Sequence, residues 1–244
     1  MSLLEVRGLE ARHGLLPAVR GIDLSVEEGE RVALVGANGA GKTTLLRTIA
    51  GVHPAANGRI VFDGEDVTVL PAHRRCAMGI ALTPEGRRLF VGMTVRENLL
   101  VARASGRAGP WNLESVLQAF PQLEPKLGAR AGDLSGGQQQ AVAIARTLMT
   151  NPRIVLLDEV SLGLSPIAVE SLYDSLRLLL GMGTTVVLVE QDLQRTLRVA
   201  DRIVCMLEGA VVAAGRADEM TREQVMGHYF GSRSAVQHPT EARA

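Results

Sequence analysis

The sequence predicts an α/β fold. Short runs rich in Val, Ile and Leu at residues 31–35, 154–157 and 185–189 alternate with longer stretches of helical pattern at 42–50, 137–149 and 168–180. Apolar runs of that length without polar alternation mark parallel strands covered on both faces. Interleaving them with helices specifies a layered sheet-and-helix core. Residues 1–30 and 59–69 differ, because polar and apolar residues alternate there and Asn57-Gly58 and Asp63-Gly64 give turn signals. An antiparallel β-layer is expected from them.

Between residues 85 and 130 the strand signal disappears. Thr94 and Glu97 form a capping box that opens an amphipathic helix through Ala102, and a second helix starts at Asn112. This stretch is therefore expected as a helical insertion in one domain spanning residues 1–231. Residues 232–244 lack periodicity and are expected to form a flexible tail. No internal repeat is present.

Composition narrows the function classes. The 244 residues are 46% hydrophobic, enough for a substantial core. Lys plus Arg and Asp plus Glu both total 26, so the basic excess of a nucleic-acid binder is missing and no nucleic-acid partner is expected. Cys76 and Cys205 have no metal-binding or disulfide spacing and read as reduced and buried. No segment approaches the ~18 uninterrupted apolar residues of a membrane span, so any work at a membrane goes through partners.

The chemistry starts after the run at 31–35. Gly36-Ala37-Asn38-Gly39-Ala40-Gly41-Lys42-Thr43-Thr44 satisfies GxxxxGK[ST] between a strand and a helix. Glycines 36, 39 and 41 let the backbone curl until its N–H groups face a polyphosphate, and the following helix presents its positive end to the same anion. Lys42 is placed to reach the β- and γ-phosphates of ATP, and Thr43 to ligate Mg²⁺. The run at 154–157 ends in two adjacent carboxylates, Asp158 and Glu159, an arrangement that burial disfavours unless a cation offsets it. With Mg-ATP alongside, Asp158 holds Mg²⁺ and Glu159 acts as general base on the attacking water.

A P-loop and an acidic strand are shared by many enzymes. Leu134-Ser135-Gly136-Gly137-Gln138 is more specific: upstream of the acidic strand and opening a helix, it resembles the signature of ATP-binding-cassette (ABC) ATPases. Ser135 and the Gly136 and Gly137 amides form a second anion-binding helix start. The resemblance covers residues 4–231. It implies a P-loop NTPase core of ABC type with an antiparallel β-layer and a helical subdomain at about 85–130. It also implies a head-to-tail pair of subunits, the signature of one closing over the ATP held by the other.

Within the family, the segments at 83–90, 93–99, 161–166 and 188–191 look like the LivF type of ATPase subunit from branched-chain amino acid importers. That resemblance implies transmembrane permease partners, a second and related ATPase subunit, an external solute-binding protein acting indirectly, and a peripheral position on the cytoplasmic face of the membrane. It places Glu85 at a Mg²⁺-contacting position usually held by Gln, and Gln191 where a histidine usually meets the γ-phosphate; both departures are typical of the LivF type. His13 falls where an aromatic residue usually stacks on adenine, a smaller ring that should stack less well. Val160 replaces a usual Pro, which lessens the expected rigidity of the loop after Glu159. No residue touches the solute, so an importer of urea or short-chain amides is compatible with the same motifs. A non-transport cassette acting on DNA or ribosomes is disfavoured by the single cassette, the lack of heptads and the balanced charge.

Overall fold

The computed structural model describes residues 2–181, 183–190 and 192–229; Gln191 and the expected tail at 232–244 lie outside the described residues. In chain order the elements are β1 (Ser2–His13), β2 (Leu16–Glu27), β3 (Arg31–Val35), α1 (Lys42–Ile49), β4 (Asn57–Phe62), β5 (Glu65–Asp66), α2 (Ala72–Met78) and β6 (Ile80–Thr83). There follow α3 (Val95–Leu100), α4 (Leu113–Ala119), α5 (Gly136–Leu148), β7 (Ile154–Asp158), α6 (Pro166–Gly181), β8 (Thr185–Val189), α7 (Leu193–Val199), β9 (Arg202–Leu207), β10 (Ala210–Arg216) and α8 (Arg222–Tyr229).

Two sheets carry the fold, one of order β2-β1-β4-β5 and one of order β10-β9-β3-β8-β7-β6. The first is antiparallel; the second is parallel from β9 to β6, with β10 added antiparallel at its edge. Strand alternation sorts the parallel strands into two cores. Ala33, Val35, Val155, Leu157, Val186 and Leu188 face the core shared with α5, α6 and the helical segment. Val32, Leu34, Ile154, Leu156, Val187 and Val189 face the core shared with α1 and the antiparallel sheet. The continuous apolar runs in the sequence are thus explained by burial on both faces.

Asp63-Gly64 joins β4 to β5 with φ of 51° and 81°, the two left-handed positions of a type I′ turn. Asn57-Gly58 is not a turn. It opens β4, and a Cβ on Gly58 would lie 2.4 Å from the Gly8 carbonyl oxygen. Glycine there serves close strand approach at an irregularity in β1.

The stretch at 85–130 holds α3, α4 and two 3-10 turns. The Thr94–Glu97 capping box is formed, and Asn112 caps α4. The helix from Val95 is α-helical only to Leu100 and tightens into a 3-10 turn at Val101–Ser105, short of the Ala102 end that the sequence pattern predicts. An antiparallel bridge between Thr94 and Arg130 brings the two ends of the stretch together. Among the described residues no helix is long and apolar enough to cross a membrane.

A buried cation fixes the far end of α1. Arg75 is 2% exposed, and its guanidinium donates to the carbonyls of Thr48, Ile49, Thr68 and Leu70, each at 2.8 Å. The first two are carbonyls at the C-terminal end of α1, where a cation is favoured. Burial pulls the Arg75 pKa down without neutralising it. Arg75→Met should cost about 3 kcal/mol or more by leaving buried carbonyls unpaired, read as a lower urea midpoint at unchanged m-value.

Candidate active site

The P-loop is held by backbone packing. Gly41 has φ 95°, and a Cβ there would lie 2.2 Å from the Ala18 carbonyl oxygen of β2; a Cβ on Gly36 would lie 2.2 Å from the Met206 carbonyl oxygen of β9. The loop is therefore pressed against two strands where no side chain fits. Lys42 begins α1, is 4% exposed, and donates through Nζ to the carbonyls of Gly36 at 2.7 Å and Ala37 at 3.0 Å. Burial lowers its pKa, while the charges of Glu159 and Asp158 oppose that shift.

The end of β7 faces this loop. Asp158 is fully buried; Oδ1 accepts a 2.8 Å hydrogen bond from the Thr43 hydroxyl, and Oδ2 has no partner among the described residues. Burial raises the Asp158 pKa, Thr43 and Arg47 oppose the rise, and Glu159 and Glu85 add to it. An unpaired buried carboxylate oxygen beside a threonine hydroxyl is a donor set for a hard divalent cation. Because the folded-state pKa is raised, the ionised carboxylate destabilises the protein, increasingly as pH rises from the unfolded value through the folded one. Asp158→Asn should therefore raise the thermal midpoint at neutral pH without Mg²⁺. The gain should vanish at pH below the ordinary carboxylate value.

A cavity of about 550 Å³ lies over the loop, lined by Asn38 to Thr44 together with His13, Ala18, Glu85, Glu159 and Leu162. The structure thus collects residues from four separate stretches of sequence around one space of ligand size. Glu159 adopts φ 48°, a left-handed conformation uncommon outside glycine, and its N–H donates to the Val189 carbonyl at 3.0 Å. His13 Nε2 lies 3.1 Å from the Thr44 hydroxyl. His53, which sequence reading missed, tilts its ring against His13 at 4.7 Å between centroids. His53 donates through Nε2 to the Arg12 carbonyl at 3.1 Å, since that carbonyl can only accept.

Residues 135–138 do not line this cavity. Ser135 and Gln138 form a reciprocal capping box at the start of α5. A Cβ on Gly137 would lie 2.6 Å from Cβ of Ala168, and one on Gly136 would lie 3.0 Å from the Arg87 guanidinium. The two glycines therefore also permit close packing with α6 and with the loop after β6.

The profile of the ABC transporter family matches residues 19–161. The chain belongs to that family, and its cassette is an ABC-type ATPase. It is 40% identical over 222 residues to the high-affinity branched-chain amino acid transport ATP-binding protein BraG of Pseudomonas aeruginosa, covering 90% of this chain and 95% of BraG. To the probable branched-chain amino acid transport ATP-binding protein LivF of Archaeoglobus fulgidus it is 33% identical over 225 residues, covering 91% and 95%. Among solved structures, a nucleotide-free cassette from an ABC transporter superposes with a TM-score of 0.79 at 29% identity, covering 97% of this chain and 98% of that one. A dimeric cassette in a post-hydrolysis state with ADP and phosphate superposes with a TM-score of 0.77 at 26% identity, covering 88% and 98%.

Proposed function

We propose that this chain is the ATP-hydrolysing subunit of a branched-chain amino acid importer, peripheral on the cytoplasmic face of the membrane. The observation that carries this reading is the meeting of Lys42, Thr43, Asp158 and Glu159 at one loop and strand end, in a chain that aligns with BraG and LivF nearly end to end. The P-loop amides of residues 36–44 and the ammonium of Lys42 bind the ATP phosphates, for which Lys42 exchanges its two carbonyl partners. Thr43, Asp158 and Glu85 would hold Mg²⁺, whose contribution would be to neutralise phosphate charge. Glu159 takes the proton of the attacking water. His13, backed by His53, supplies the platform for the adenine ring. Gln191 belongs to the same reading, as the neutral hydrogen-bond donor to the γ-phosphate.

The signature residues Ser135, Gly136, Gly137 and Gln138 act on the ATP of a second subunit. Their capped helix start, away from this chain's own cavity, supports that assignment. A related ATPase is the expected cellular partner, and the same motifs are compatible with a homodimer in isolation. The domain assignment belongs to the same proposal: residues 1–231, with the helical subdomain at about 85–130. For the membrane partner, a groove of about 470 Å³ runs between α2, β6 and the turn after α3, its rim including Val52, Phe90 and Val101. These side chains are 61%, 50% and 42% exposed, an apolar surface suited to a cytoplasmic helix of a permease.

Val101→Asp should leave ATP binding by the isolated chain intact but reduce its co-purification with the permease about 10-fold, measured from detergent-solubilised membranes. Leucine uptake into vesicles holding the permease, the two ATPases and the solute-binding protein tests the substrate. Uptake lost with Glu159→Gln supports the assignment; uptake of urea in place of leucine moves the chain to the neighbouring class of importer.

A further inference from the structure

The loop that follows the general base is held by a carboxylate that the catalytic scheme does not use. Glu190 stands just beyond β8 and is 4% exposed. Its Oε1 accepts the Ser161 backbone N–H at 3.1 Å, and its Oε2 accepts the Ser161 hydroxyl at 2.6 Å. Two acceptor oxygens of one buried carboxyl group on one residue fix its orientation as well as its distance.

Ser161 is two residues beyond Glu159, whose φ of 48° places it in a sparsely populated conformation. A strained residue of this kind persists only where its surroundings over-determine it. Here Glu159 itself and the residue two positions on are both tied to the same strand end. Its own N–H donates to the Val189 carbonyl at 3.0 Å, and Ser161 is gripped by Glu190, the next residue along. Between them Val160 is 2% exposed and packed in the core, and Leu162 closes the turn through its N–H to the Glu159 carbonyl at 3.2 Å. The loop is therefore fastened by side chains where the sequence offers no proline to stiffen it.

We infer that Glu190 is a positioning residue for hydrolysis: its grip on Ser161 maintains the left-handed backbone of Glu159 and thereby the placement of the general base. It thereby ties the end of β8 to the loop after β7. This inference rests on the reading of Glu159 as the base.

The test compares Glu190→Gln, Ser161→Ala and Ser161→Thr in the full chain. Glu190→Gln keeps the shape but removes one acceptor, Ser161→Ala removes the hydroxyl donor, and Ser161→Thr retains it. For Glu190→Gln and Ser161→Ala we expect kcat for MgATP to fall about 10-fold, with KM within about two-fold and ATP affinity unchanged, and Ser161→Thr to recover most of the rate. A role confined to stability would lower the thermal midpoint and leave kcat per folded molecule unaltered, which overturns the inference. Amide hydrogen exchange of the peptide at 158–165 reads the grip on Ser161 separately from hydrolysis. Faster exchange in Glu190→Gln and Ser161→Ala is expected whether or not the chain hydrolyses ATP alone, and unchanged exchange overturns the grip itself. A wild-type chain that binds MgATP but never hydrolyses it, even with its ATPase partner, contradicts the reading of Glu159 while the exchange result still stands.

Discussion

Glu159→Gln is expected to lower kcat for MgATP by about 10³-fold while ATP binding survives. The amide has the size of the carboxylate and can still face the cavity beside Lys42 and Thr43, so the phosphate-binding groups keep their places. What it loses is the ability to take a proton from water. Binding without turnover should trap the closed pair, so light scattering should show an ATP-dependent dimer in the mutant that is only transient in the wild type. Retained turnover in Glu159→Gln would move the base elsewhere.

Gly41→Ala should be as damaging through geometry alone. The added methyl would stand 2.2 Å from the Ala18 carbonyl oxygen and 3.4 Å from Cα of Gly209, at a φ of 95° that alanine resists. Backbone can relieve such a clash only by moving, and moving Gly41 displaces the Lys42 and Thr43 that follow it. We expect ATP affinity to fall about 100-fold or more, with a stability loss of about 2–4 kcal/mol, read by calorimetric titration and urea unfolding. Gly39→Ala is the informative comparison. Gly39 also has a positive φ, 82°, but nothing stands within 4 Å of its would-be Cβ, so its penalty should be conformational strain only.

These two cases show what could be read from the sequence. Lys42, Thr43, Asp158 and Glu159 were legible because local spacing carries them: a glycine-rich turn between a strand and a helix, and an apolar run ending in acids. The parallel strands β3, β7 and β8 were legible for the same reason, since burial on both faces leaves an unbroken apolar run, whereas the parallel strand β9 was passed over although it carries a run of the same kind. Asn57-Gly58 misled because glycine signals both turns and close backbone approach, and only the partner strand distinguishes them. The short strand β6 and the edge strand β10 carry too few residues, or too mixed a pattern, to stand out.

Residues defined by long-range contact left no local trace. Arg75 reaches carbonyls of α1 from α2, His53 meets His13 from a different loop, and Glu190 meets Ser161 across two strand ends. Each is an ordinary polar residue in sequence, and its role exists only once the chain has folded. The lining of the cavity over the P-loop by Ala18 and Leu162 is of the same kind.

The central claim is that the ATP held by one P-loop is completed by the signature of another subunit. Mixing two inactive chains tests it most directly, one carrying Lys42→Ala and the other Ser135→Arg. A site shared between subunits leaves each mixed pair with one intact combination, the P-loop of the Ser135→Arg chain and the signature of the Lys42→Ala chain. Equal mixing of independent sites should then restore about a quarter of the wild-type MgATP hydrolysis rate. No recovery, in mixtures shown by co-purification of differently tagged chains to form mixed pairs, would mean that each chain completes its own site and would contradict the two-subunit account.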